Sequence, residues 1–102
     1  MTATTRSQII EIDNFIAGKQ ESAQSGKTFE TINPSTGKVL GKVALGGHAD
    51  VERACEAASD AFKKGSFRKM SITERSLILE KIGDLILERK EELARAESLD
   101  TG

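Results

Sequence analysis

Residues 28–45 read TFETINPSTGKVLGKVAL, two β-prone arms around a turn. Thr28 to Ile32 is rich in β-branched and aromatic side chains, which suit a pleated, half-buried strand. Asn33 stands at the first turn position and Pro34 at the second, and Gly37 can take the left-handed conformation that returns the chain. Beyond it Val39, Gly41, Val43 and Leu45 alternate with Leu40, Lys42 and Ala44, the period of a strand with one face more deeply buried. The stretch therefore predicts a hairpin and fixes the first half of the chain as β structure.

Working toward the N-terminus, IDNFIAGKQ places Ile12, Phe15 and Ile16 before a tight Ala17-Gly18 corner. This predicts a second hairpin with an imperfect turn, because primed turns favour Asn or Asp before Gly and a positive φ is costly for Ala17. Residues 1–11 read as a tail. Working toward the C-terminus, the period changes after Gly46-Gly47. Val51, Ala54, Cys55, Ala58, Ala61 and Phe62 recur at three and four residues and predict a helix from about Ala49 to Lys64, with Gly65 as its stop. Asp50 and Glu52 in its first turn and Lys63-Lys64 in its last match the helix dipole. Ser71-Ile72-Thr73-Glu74 is a capping box that starts a second helix. Along it Ile78, Ile82, Leu85, Ile86, Leu93 and Ala96 form one stripe, while Leu77, Leu79 and Leu87 widen the apolar arc, as though the helix were contacted from two directions. Gly83 inside it costs roughly 1 kcal/mol against Ala and points to a close neighbour. The fold expected from pattern is thus α+β: N-terminal β-hairpins followed by two main helices.

Composition narrows the function. In 102 residues, fifteen Lys plus Arg face sixteen Asp plus Glu with the signs interleaved, which removes the electrostatic case for nucleic acid or an anionic membrane. No apolar run approaches the roughly 18 residues that span a bilayer, and Ile9-Ile10 is too short for a signal sequence. A soluble, cytoplasmic protein is expected. Cys55, the only cysteine, falls on an apolar stripe and reads as a small buried core residue rather than a nucleophile. His48, the only histidine, has no second ligand for a transition metal. The glycines Gly37, Gly41, Gly46 and Gly47 match neither a dinucleotide fingerprint nor a phosphate loop and read as turn glycines. Pattern alone describes a chain without a complete active site.

The order and wording of the segments add a resemblance. NFIAGKQ, then SGKTFETINPSTGKVLGKVALGGHADVERACEAASDAF, then FRKMSITERSLILEKIGDLILERKEELARAESLDTG resembles the N-terminal segment of the NAD(P)-dependent aldehyde dehydrogenase superfamily. Its most specific parts are Ile32 to Gly37, Ser71 to Arg75, and Glu97 to Gly102. Ala17-Gly18 departs from the Asn-Gly or Gly-Gly common in the family, and Phe67 stands where Trp is frequent.

The resemblance implies a Rossmann-like α/β parent fold, with residues 12–102 as the incomplete beginning of its cofactor-binding domain. It implies an enzyme that oxidises an aldehyde or semialdehyde to the carboxylate with NAD or NADP, through a cysteine thioester, and assembles as a homo-oligomer. The nucleophile, the thioester-hydrolysing Glu and the nucleotide-binding residues would all lie downstream of Gly102, and Cys55 does not correspond to the nucleophile. One site falls inside: a potassium or sodium ion held by the backbone carbonyls of Thr31 and Ile32 and by the carboxylate of Asp100. An oxygen set with one carboxylate suits a +1 ion. The rival expectation is a free-standing, non-catalytic interaction module that docks a partner through its second helix.

Overall fold

The computed structural model describes residues 9–102. Residues 1–8 of the expected tail lie outside the described residues. Five short strands come first: β1 (Ile10–Ile12), β2 (Asn14–Ile16), β3 (Lys19–Glu21), β4 (Thr28–Ile32) and β5 (Val39–Ala44). Three helices follow, α1 (His48–Lys64), α2 (Ile72–Glu88) and α3 (Lys90–Thr101), with a 3-10 turn at Phe67–Lys69 between the first two.

Both expected hairpins form. β2 and β3 pair antiparallel across the two-residue corner, where Ala17 (φ 53°) and Gly18 (φ 78°) both take the left-handed region. That is the conformation a primed turn requires, and Ala17 is held in it despite its Cβ. β4 and β5 pair antiparallel, with β5 carrying one additional residue, Leu40, at the step between Thr31 and Ile32. Their turn closes through Asn33: its carbonyl accepts from the Gly37 amide at 2.8 Å, and its side-chain Oδ1 accepts from the Ser35 amide at 2.9 Å. Gly37 supplies the positive φ, 73°.

The sequence pattern gave no sign of β1. It runs parallel to β5 with Ile10 opposite Gly41, so the sheet order is β1-β5-β4 and β5 is central. A parallel neighbour needs a crossover rather than a turn, and here the β2–β3 hairpin and β4 make up the excursion. Gly41 is what permits it, because a Cβ there would lie 2.6 Å from the Ile10 carbonyl oxygen.

α1 is flanked by Gly47 at its N-cap and Gly65 at its C-cap, where a Cβ would fall 2.3 Å from the Ala61 carbonyl oxygen. The expected capping box starts α2: the Ser71 hydroxyl accepts from the Glu74 amide, and the Glu74 carboxylate accepts from the Ser71 amide, both at 3.1 Å. The Ser71 amide foremost, with the Ser71 side chain beside it, holds the Glu74 carboxyl below its ordinary pKa.

The second helical region departs from expectation in one respect. It is interrupted at Arg89, whose backbone (φ −106°, ψ 18°) leaves the helical region. The Arg89 amide is shared between the carbonyls of Leu85 and Ile86, and helical bonding resumes from Leu93 to the Arg89 carbonyl. No Gly or Pro marks the break, so the pattern read through it as one helix.

The larger departure is burial. Among the described residues, the buried apolar side chains are only Ala23 and Ala44, whereas eighteen large apolar residues are exposed. The Cα radius of gyration is 17.1 Å, against about 13 Å for a compact domain of this length. Cys55, expected in a core, is exposed; so are Val51 and Phe62 on the same stripe of α1. The amphipathic period was real, but no described element covers the face it defines. Gly83 likewise meets no neighbour, since a Cβ there has nothing within 4 Å.

Candidate functional site

The end of α3 is brought back to the β4–β5 turn. Thr31, the penultimate residue of β4, donates its hydroxyl to Asp100 Oδ1 at 2.6 Å, across 69 residues of sequence. Ser35 donates its hydroxyl to the Gly102 carbonyl at 3.2 Å, and Gly102 lies against the Pro34 ring. The turn that Asn33 builds thus presents Ser35 and Pro34 to the end of the helix, and Asp100 takes the adjacent strand. Ile32 follows Thr31 at the irregular step of the ladder. Because β4 is an edge strand, the backbone groups on its outer side have no strand partner among the described residues. Of the three residues expected at a cation site, Thr31 and Asp100 are therefore in direct contact and Ile32 adjoins them along the chain.

The expected donor set, two backbone carbonyls and one carboxylate, is of the kind that hard cations of low charge take. Asp100 is its single carboxylate, and among the described residues no group of three or more His, Cys, Asp or Glu side chains gathers as a divalent or transition-metal site would.

A second cluster ties the first half of the chain to α1. Asp50 is buried and accepts three hydrogen bonds: from the Gly47 amide at 2.8 Å, the Gln24 amide at 3.0 Å and Arg53 at 2.7 Å. Arg53 also pairs with Glu21 on β3. The Gly47 amide foremost, then the Arg53 guanidinium and the Gln24 amide, hold the Asp50 carboxyl below the ordinary carboxylate range against the opposing effect of burial. Pattern reading saw only a first-turn acid here; the Asp50-Arg53 spacing of three residues was the available signal, and it could not reveal Gln24 or Glu21. A shallow cleft lined by Ser22, Gln24, Ala49, Glu52, Arg53 and Glu56 lies over this cluster. Asp50 and Arg53 are already satisfied by one another and by the backbone, so the cluster acts as a structural clasp. His48, exposed at the start of α1, lies 3.0 Å from Glu52 and forms an ion pair with it when protonated.

The strands and helices leave their apolar faces open, and solved structures of larger α/β enzymes superpose closely on this chain. An aldehyde dehydrogenase from Bacillus cereus in complex with NAD+ matches all of the chain with a TM-score of 0.90 and 41% identity, over 21% of its own length. An NAD-dependent aldehyde dehydrogenase from Sinorhizobium meliloti matches 89% of the chain with a TM-score of 0.84 and 39% identity, over 18% of its length.

The Aldehyde dehydrogenase family model matches residues 20–102, and the chain belongs to that family. It corresponds to the N-terminal segment of the fold. Among curated relatives, the 2-hydroxymuconic semialdehyde dehydrogenase of Pseudomonas sp. (strain CF600) is 45% identical over 90% of the chain and 19% of its own length. The human mitochondrial 10-formyltetrahydrofolate dehydrogenase is 43% identical over 86% of the chain and 10% of its length. The chain thus spans a tenth to a fifth of the curated relatives it matches. These likenesses do not favour the rival reading of a free-standing interaction module. No described helix is long and apolar enough to cross a membrane.

Proposed function

We propose that this chain serves as the N-terminal structural segment of a longer NAD(P)-dependent dehydrogenase that oxidises an aldehyde or semialdehyde to the carboxylate. Residues 12–102 begin its cofactor-binding domain; the expected tail boundary at residue 11 is corrected by β1, which joins Ile10 and Glu11 to the sheet through β5. The observation that carries this reading is the uncovered apolar surface of α1 and α2 on a backbone that matches a fifth of a solved, NAD-bound relative. A segment built this way contributes strands, helices and a latch, while the thiol nucleophile and the nucleotide-binding residues belong to the remainder. NAD is favoured over NADP by the NAD-complexed relative. The proposal includes a homo-oligomeric cytoplasmic enzyme with no nucleic-acid or membrane partner.

The latch has a role in the same proposal. The carbonyls of Thr31 and Ile32 and the carboxylate of Asp100 hold a potassium or sodium ion, which would neutralise Asp100 where it meets the edge of β4. The contact between Thr31 and Asp100 supports it. The test is thermal stability of the longer polypeptide in potassium, sodium or tetramethylammonium chloride. The unaltered protein should be stabilised by potassium or sodium and the Asp100→Ala variant should not; an identical salt response in both would remove the ion.

A further inference from the structure

Asp100 is the penultimate residue of α3, where the helix dipole places partial negative charge and disfavours a carboxylate. No basic residue stands in that last turn to offset it, and Asp is a poor helix former. The carboxylate instead has a donor from outside the helix, the Thr31 hydroxyl at 2.6 Å from Oδ1. That distance is the one expected of a hydroxyl on a charged oxygen, the stronger kind of hydrogen bond. Thr31 suits the task because a β-branched residue has few χ1 choices, so the backbone of β4 fixes where its hydroxyl stands. The bond engages one of the two Asp100 oxygens and uses the Thr31 side chain, not the carbonyl expected to face a cation.

We propose that Thr31 is a positioning residue for Asp100: its hydroxyl fixes the carboxylate without an ion, and a potassium or sodium ion then binds to a carboxylate already in place. The second step rests on the cation site proposed above; the first does not. The neighbouring contacts leave this task to Thr31. Ser35 donates to the Gly102 carbonyl, and Gly102, at φ 83°, sits so near the turn that a Cβ would lie 3.2 Å from the Pro34 ring and 3.3 Å from Ser35 Oγ. These contacts hold the end of α3 by its backbone and do not reach the Asp100 carboxylate. Thr31 supplies its hydrogen bond among the described residues, and the donor offsets the charge that the helix end disfavours.

The experiment uses the longer polypeptide and compares the unaltered protein with two variants. Thr31→Val keeps the branched shape and loses the hydroxyl; Thr31→Ser keeps the hydroxyl. Amide hydrogen exchange across residues 97–102 is measured in tetramethylammonium chloride. The potassium chloride concentration that gives half of the maximal thermal stabilisation is measured for each protein. Because Ser35 and Gly102 still hold the helix end, the loss in Thr31→Val is that of one surface hydrogen bond, and exchange should quicken about two- to tenfold. The potassium midpoint should rise by a similar factor, with Thr31→Ser close to the unaltered protein in both measurements. Exchange in Thr31→Val equal to that of the unaltered protein, or Thr31→Ser as fast as Thr31→Val, overturns the tether. A potassium midpoint in Thr31→Val at or below that of the unaltered protein overturns the positioning role. No potassium response in any of the three proteins, beside faster exchange in Thr31→Val, removes the cation site and leaves the tether standing.

Discussion

Replacing Gly41 with Ala tests the arrangement on which the sheet depends. The added Cβ would lie 2.6 Å from the Ile10 carbonyl oxygen, about 0.8 Å inside ordinary van der Waals contact. Two responses are open: β5 and β1 move apart, or β1 leaves the sheet. Overpacking of this kind costs about 1–3 kcal/mol, while the reduced freedom of the unfolded chain returns about 0.4–1 kcal/mol. The ceiling is low because β1 is only three residues long and pairs only with β5. A net loss of about 1–2 kcal/mol follows, or roughly a 5- to 30-fold fall in protection, since 1.4 kcal/mol is a factor of ten. Amide hydrogen exchange across residues 10–12 and 39–44, measured in the polypeptide that carries the segment, reads it directly. Unchanged protection of β1 in Gly41→Ala would refute the parallel pairing and the role assigned to the glycine.

Two further outcomes follow from the clasp and from the uncovered helix. Asp50 has its folded-state pKa depressed, chiefly by the Gly47 amide and then Arg53, so its stabilising contribution is present above its unfolded pKa near 3.8 and lost as pH falls through the lower folded value. Urea midpoints taken from neutral pH downward should fall more steeply below about pH 4 in the unaltered protein than in Asp50→Asn, and parallel curves would contradict the clasp. Cys55 is exposed on a face that the remainder of the polypeptide is proposed to cover. A thiol reagent should therefore label it at least roughly tenfold faster in the 102-residue chain than in the longer polypeptide; equal rates would place Cys55 outside the covered surface.

Local chemistry was legible in the sequence wherever one residue type permits one conformation. Asn33, Pro34 and Gly37 specified a turn, Ser71 and Glu74 specified a helix start, and each stands as read. Long-range relations were not, because nothing local encodes them. Ile10 pairing in parallel with Gly41, and Asp50 reaching Gln24, depend on how separate segments meet. The break at Arg89 carries no Gly or Pro. The misplacement of Cys55 has a different cause: helical periodicity reports which face is meant to be covered, and the covering element is not among the described residues. The nearness of Thr31 and Asp100, 69 residues apart, came from the family resemblance alone, and the bond that joins them uses the Thr31 hydroxyl, not the carbonyl expected to face an ion.

The most direct test is aldehyde-dependent reduction of NAD by the 102-residue chain alone and by the longer polypeptide that contains it, assayed side by side with an aliphatic aldehyde and a semialdehyde. Reduction by the longer polypeptide and none by the isolated segment is the predicted result. Reduction by the isolated segment, or none by the longer polypeptide, would contradict it.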